Sequence, residues 1–188
     1  TTGNSCVFVG DGAGKNDTGS DNTFVGVNAG LGNTSAGGNV FMGVNAGSGT
    51  QDSTNGGYNV AIGLEAGKLT TGARSVFIGH RAGGQNTSAG YNVFIGRESG
   101  YNMTTGTGNV VIGYEAGPTA TDTSSNNLYI HNSNSDTPLI GGDFSGREIY
   151  LNGSTIIGAN GSGDRLITSD AGSLYIRALD NMHLESND

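Results

Sequence analysis

An all-β fold, a parallel β-solenoid of stacked coils, is predicted by three observations. A nine-residue unit, Asn-Val-Phe-Ile-Gly-x-x-Ala-Gly, recurs about every 17 residues between positions 5 and 117. Each central glycine follows three residues that are almost all β-formers, and a second glycine follows four residues later. Glycine supplies 36 of 188 residues, far above the usual level of roughly 7%, yet it does not recur at every third position as collagen requires. Regularly spaced apolar triplets also set the chain apart from disordered polar sequence.

The central glycines are Gly10, Gly26, Gly43, Gly63, Gly79, Gly96 and Gly113, and the second glycines are Gly14, Gly30, Gly47, Gly67, Gly83, Gly100 and Gly117. Alanine precedes the second glycine in six units and Ser99 does so in the other. Register therefore holds within each unit, and length varies only in the connecting turn. Three alternating residues make a short strand. A glycine then ends it where the chain bends and a Cβ would clash. A helix is excluded, because two or more glycines in nine residues remove helix propensity. Seven coils about 4.8 Å apart make a rod segment on the order of 30 Å long.

Alternation creates two apolar columns. One holds the residues three and one before the central glycine, from Val7 and Val9 to Val110 and Ile112, all Val, Ile or Met except Thr23. The other holds Phe8, Phe24, Phe41, Ala61, Phe77, Phe94 and Val111. One column lines the coil interior. The other leaves an apolar stripe in water, which soluble monomers rarely tolerate. The stripe is expected to be buried between chains related by rotation, with Phe8, Phe24, Phe41, Phe77 and Phe94 as the interface candidates.

Composition narrows the function. The formal net charge is −8, with eight Lys and Arg spread along the chain, which argues against nucleic-acid binding. No apolar run approaches the roughly 20 residues of a membrane-crossing helix. There is no signal-peptide pattern, and the chain reads as a piece of a longer protein. The single Cys6 cannot form an internal disulfide.

The unit resembles the head repeats of trimeric autotransporter adhesins of the YadA type and, more closely, the repeat arrays of bacteriophage tail fibres. Their N-T-T-G turns are matched here by Asn33-Thr34-Ser35-Ala36-Gly37, Asn86-Thr87-Ser88-Ala89-Gly90 and Thr104-Thr105-Gly106. The resemblance covers residues 5–117; Cys6 and Ser75 at the Asn position and a longer third turn depart from it. It implies a parallel homotrimer of left-handed β-rolls on a virion or cell surface.

Residues 1–117 are thus read as the roll, 118–127 as a polar connector and 128–188 as a shaft. Short strand signals continue at Leu128–Ile130, Leu139–Ile140, Glu148–Leu151, Thr155–Ile157, Arg165–Thr168, Leu174–Arg177 and Met182–Leu184. They hold too little apolar material for a core of their own, so an intertwined trimeric β segment is expected. By resemblance to phage fibres, Arg165 to Ser186 is a β-prism shaft.

Several columns carry polar groups. Asn22, Asn39, Asn59, Asn92 and Asn109 lie four before the central glycine and are expected to form a structural ladder. Gly12, Asn28, Asn45, Glu65, Arg81, Glu98 and Glu115 lie two after it. Glu65, Arg81 and Glu98 alternate in charge. Glu98 with Glu115 is the one pair with a glycoside-hydrolase reading, which needs a separation of about 5–9.5 Å. A ladder produced by repetition is favoured over a catalytic pair. Thr18, Thr34, Thr71, Thr87 and Thr104 form a column broken at Gln51, a weak basis for ice binding. Tyr58, Arg74 and Tyr91 stand five before the glycine in consecutive coils and are candidates for glycan contact. The third turn, Ser48 to Tyr58, is a second candidate contact surface. His80, His131 and His183 have no metal-ligand spacing, Asp11 to Lys15 is a repeat corner rather than a phosphate loop, and no cofactor is expected. The Asn-x-Ser/Thr sites at Asn16, Asn33, Asn86, Asn102, Asn152 and Asn160 follow from turn composition.

The expectation is a non-enzymatic fibre segment that attaches to a host glycan or protein receptor by multivalent display. A polysaccharide-degrading spike and an ice-binding solenoid are the alternatives.

Overall fold

The structure, a computed structural model, describes residues 3–49 and 56–152. Within them ten strands form one sheet in sequence order and there is no helix. Seven three-residue strands precede the seven central glycines: β1 (Val7–Val9), β2 (Thr23–Val25), β3 (Val40–Met42), β4 (Val60–Ile62), β5 (Val76–Ile78), β6 (Val93–Ile95) and β7 (Val110–Ile112). Each pairs in parallel with the next in identical register, for example Phe8 with Phe24 and Phe77 with Phe94. An eighth rung, β8 (Asn127–Ile130), stacks on β7 with Val111 opposite Tyr129. The result is a β-solenoid of about seven turns.

The corner glycines explain the regularity. All seven central glycines have φ between +127° and +136°, a region closed to side chains. A Cβ on Gly10 would lie 2.6 Å from the carbonyl oxygen of Gly26. The second glycines serve the interior. A Cβ on Gly30 would lie 2.5 Å from the Phe24 ring, and one on Gly47 2.6 Å from the Phe41 ring. The absent side chain is the space into which the aromatic ring fits.

The core is therefore the Phe column. Phe24, Phe41, Phe77 and Phe94 are fully buried within the single chain, facing Ala29, Ala46, Ala66, Ala82 and Ala116. Phe8 packs partly buried against the same cluster. The rings of Phe8 and Phe24 stack with centroids 5.1 Å apart, and those of Phe24 and Phe41 at 4.9 Å. Ala61 interrupts the ladder, and Phe77 and Phe94 resume it tilted by 56°. The expected Phe interface is thus reversed: these rings are consumed inside each coil and are not available to a partner chain. The column left outside is Val9, Met42, Ile62, Ile78 and Ile95, all exposed. In coils two to four, Val27, Val44 and Leu64, one past the central glycine, are exposed as well.

The Asn column forms a ladder through the buried edge of the stack. The side-chain oxygens of Asn22, Asn39 and Asn59 accept from the backbone N–H of Asn39, Asn59 and Ser75, each at 2.9 Å. Ser75 takes the same role with its hydroxyl, accepting from Asn92 N–H at 3.1 Å. Asn92 and Asn109 continue it to Asn109 and Asn127 at 2.8 Å. The amide NH₂ groups of Asn22, Asn59 and Asn92 donate across the coil to the carbonyls of Ala36, Gly72 and Gly106. In Asn22, Asn59 and Asn92 one side chain thus fixes both the rise to the next rung and the closure of its own coil. Its substitution leaves a buried donor and acceptor unpaired.

Residues 118–127 join β7 to β8 by running along the stack. Asn102 Nδ2 donates to Pro118 O at 3.0 Å, and Thr104 N to Asp122 O at 2.9 Å. After β8 the direction reverses: β9 (Ile140–Asp143) pairs antiparallel with β8, and β10 (Glu148–Leu151) antiparallel with β9. Most of the third turn, Gln51, His183, Asn160 and the strand signals from 155 onward, with the expected prism shaft, lie outside the described residues.

Candidate functional site

Each coil presents two corners with left-handed backbone, and these carry the exposed chemistry. One is the position two after the central glycine: Asn28, Asn45, Glu65, Arg81, Glu98 and Glu115 all have φ between +52° and +56°. The other lies five before it: Ser5, Asp21, Tyr58, Arg74 and Tyr91 have φ between +58° and +62°. A left-handed residue other than Gly costs roughly 1–2 kcal/mol, less for Asn and Asp. Stacking of like corners from coil to coil compensates, because the side chains leave the rod in aligned columns.

The first column is an ion-pair ladder. Lys68 Nζ lies 2.6 Å from Glu65 Oε1, and Arg81 Nη1 lies 3.2 Å from Glu98 Oε1. Arg81 Nε lies 3.7 Å from Glu65 Oε2. The hydrogen bond from Lys68 is the main reason the Glu65 carboxyl is held below its ordinary range. Arg97 closes the upper end, 2.8 Å from Glu115 and 3.2 Å from Glu98. The two carboxylates with the glycoside-hydrolase reading are therefore bridged by one guanidinium on an outer corner. That arrangement suits register and charge neutralisation.

The second column brings Tyr58, Arg74 and Tyr91 together as expected from their spacing. The Arg74 guanidinium lies 5.5 Å from the Tyr58 ring centre and 5.7 Å from that of Tyr91, and Nη1 reaches the Tyr91 hydroxyl at 3.4 Å. The two tyrosines are 68% and 62% exposed. This is a pre-stacked aromatic and cationic edge held by backbone corners, and it can contact a hydroxylated ring with little further ordering.

The remaining candidates are structural. The hydroxyls of Thr18, Thr71, Thr87 and Thr104 donate to the carbonyls of Thr34, Thr87, Thr104 and Asp122 in the next coil. They are tied to the backbone rather than arrayed for ice. His131 Nδ1 accepts from Leu139 N–H at 3.2 Å, and no group of three metal-ligating side chains occurs among the described residues. Asn33 and Asn86 are fully buried. Gly12 and Gly14 are ordinary repeat corners, with Ala13 N bonded to Gly10 O and Lys15 N to Gly12 O at 3.3 Å.

Two features were not anticipated from the sequence. Seven residues after the central glycine runs a second buried column, including Asp17, Asn33, Thr70 and Asn86. Asp17 accepts from Gly19 N–H, Asn22 Nδ2 and Asn33 Nδ2 at 2.9, 3.1 and 2.7 Å. Its signal is a turn position that never carries a bulky charged residue other than this Asp. The second feature is an open groove of about 370 Å³ on the rod wall beside Arg81 and Tyr101. Its signal is a glycine, Gly84, where flanking coils carry Lys68 and Tyr101. No family model, curated protein or solved structure matches the chain.

Proposed function

We propose that the chain is a structural and adhesive segment of a surface fibre, of the phage tail-fibre or trimeric-adhesin kind, without enzymatic activity. The observation that carries this reading is the exposed column Met42–Ile62–Ile78–Ile95, in register on a narrow parallel sheet. A contiguous apolar face of this sort marks an association surface. A parallel stack with one such face is closed by rotational symmetry, and three parallel copies around an axis satisfy it. The Phe ladder keeps each coil folded, and the Val/Ile face holds the copies together. The corner columns, repeated on every copy, point outward, where Tyr58, Arg74 and Tyr91 are placed to contact a host glycan or receptor. Repetition and copy number supply avidity from individually weak contacts.

Native mass measurement and light scattering on the purified chain test the assembly. A trimer is expected, and an Ile62→Asp/Ile95→Asp variant is expected to lose it while keeping its β-sheet circular dichroism. A wild-type chain that stays monomeric at micromolar concentration would overturn the shared interface. Attachment is tested by binding of labelled protein to host cells. Release of reducing sugar from host polysaccharide, abolished by Glu98→Gln, would replace adhesion with hydrolysis.

A further inference from the structure

The groove beside Gly84 differs from the other stretches of the rod wall among the described residues. Five residues after the central glycine, the successive coils carry Lys15, Leu31, Ser48, Lys68, Gly84, Tyr101 and Pro118. Gly84 alone has no side chain, so Lys68 and Tyr101 flank a missing tooth. Two rungs separate them, roughly 10 Å along the axis. The Tyr101 ring leans over the gap, its Cε2 3.0 Å from where a Gly84 Cβ would be. The remaining groove, about 370 Å³, lies at the small end of ligand sites, which span roughly 300–1,000 Å³.

Its lining is fixed before any ligand arrives. Arg81 is held by Glu65 at 3.7 Å and Glu98 at 3.2 Å, lies 4.4 Å from the Tyr101 ring centre, and donates to the Tyr101 hydroxyl. Lys68 is anchored on Glu65 at 2.6 Å. The next position is also distinctive. Asn16 and Asn102 there donate to the carbonyls of Leu31 and Pro118 in the following coil, at 2.9 and 3.0 Å. Gln85, at the same position, makes no such bond among the described residues, which leaves its amide to the groove it lines. Thr87 directs its hydroxyl proton to Thr104 O, so it offers lone pairs.

Lys68 and Arg81 are balanced by Glu65 and Glu98, so the groove selects for neither an anion nor a cation. It does offer donors and acceptors side by side, next to an aromatic ring and the half-exposed Leu69. That is the complement of a neutral polyhydroxylated ring. We propose that this notch binds a single neutral pyranose residue, the end or a branch of a glycan. Lys68, Arg81 and Gln85 donate to its oxygens, and Glu65 and Thr87 accept from its hydroxyls. The biological use of the notch rests on the attachment reading above; the binding itself does not.

The test uses the full chain and saturation-transfer NMR with titration of the methyl glycosides of glucose, galactose, mannose and N-acetylglucosamine, with sialic acid as the acidic probe. Gly84→Lys refills the column with the residue that Lys15 and Lys68 already provide, at a glycine outside the left-handed region; its Cβ, 3.0 Å from the Tyr101 ring and 3.1 Å from Arg81 O, needs a shift of a few tenths of an ångström, and a melting curve checks that the fold is kept. Gln85→Ala removes the free amide without adding bulk. Saturable binding of at least one neutral glycoside is expected, weakened at least tenfold in both variants with melting unchanged. Neutral-glycoside binding that survives both variants overturns the notch, as does binding of sialic acid alone. If no glycoside binds while the chain still attaches to host cells, the notch fails and the attachment reading stands. If neither occurs, both fail.

Discussion

A Cβ placed on Gly26 would fall 2.5 Å from the carbonyl oxygen of Gly43, because the two glycines stack directly in adjacent coils. With φ of +135° at Gly26, an alanine there is both strained and obstructed by backbone that cannot move independently. Gly26→Ala is expected to cost at least about 3 kcal/mol, read as a lowered denaturation midpoint with an unchanged slope. A neutral effect would mean that the corner can reorganise.

Ser75 is the weak rung of the Asn ladder. Its hydroxyl accepts from Asn92 N–H, but it lacks the amide that in Asn59 and Asn92 reaches across the coil to Gly72 and Gly106. Ser75→Asn is expected to add that cross-coil bond and stabilise by about 1 kcal/mol. Asn92→Ala is expected to destabilise by about 2–4 kcal/mol, since it deprives Asn109 N–H and Gly106 O of partners. Thermal melts of the two variants check both signs.

Phe77 stands next to the gap left by Ala61. Its ring lies 2.7 Å from where a Cβ on Gly67 would be, so it fills space belonging to the Ala61 coil as well as its own. Phe77→Ala is expected to cost about 3–5 kcal/mol and to exceed the loss for Phe94→Ala, whose neighbour Phe77 can relax toward it. Equal losses would show that the rings act independently.

Acid should loosen the charged corner. Hydrogen bonds lower the carboxyls of Glu65, Asp136 and Asp143, from Lys68, Thr119 and Ser145 respectively. A depressed folded-state value stabilises fully above the ordinary values of 4.5 for Glu and 3.8 for Asp, and the contribution is lost as pH falls through the lowered values. Stability should therefore decline below about pH 4.5. Lys68→Met should return the Glu65 titration toward its ordinary range, which carboxyl NMR would follow.

Period made the strands, the corners and the Asn ladder legible, since each recurs at a fixed offset from a glycine. Alternation could not decide which apolar column faces inward. The signal that places the Phe column inside lies four residues past the central glycine. The strict Gly there, preceded by Ala in all coils but that of Ser99, leaves room for a ring only on the inside. Tyr58, Arg74 and Tyr91 were visible as a column because they share an offset. The Gly84 notch was not, because a missing side chain has meaning only against the neighbours stacked above and below it. Equally, nothing in the period announces the reversal at β9, where the pairing partner comes from a hairpin rather than the next repeat.

Because the coils bond to one another at fixed offsets from the central glycine, with Ser75 and Ala61 as the exceptions, most coils offer the next one the same surface. A duplicated unit would add one increment of about 4.8 Å and create no interface that does not already exist. A longer turn changes the girth and leaves that increment untouched. The rod is in effect a ruler with equal ticks, and its reach can be retuned by copying or deleting a tick, while whatever is displayed at one corner keeps its bearing relative to the rest.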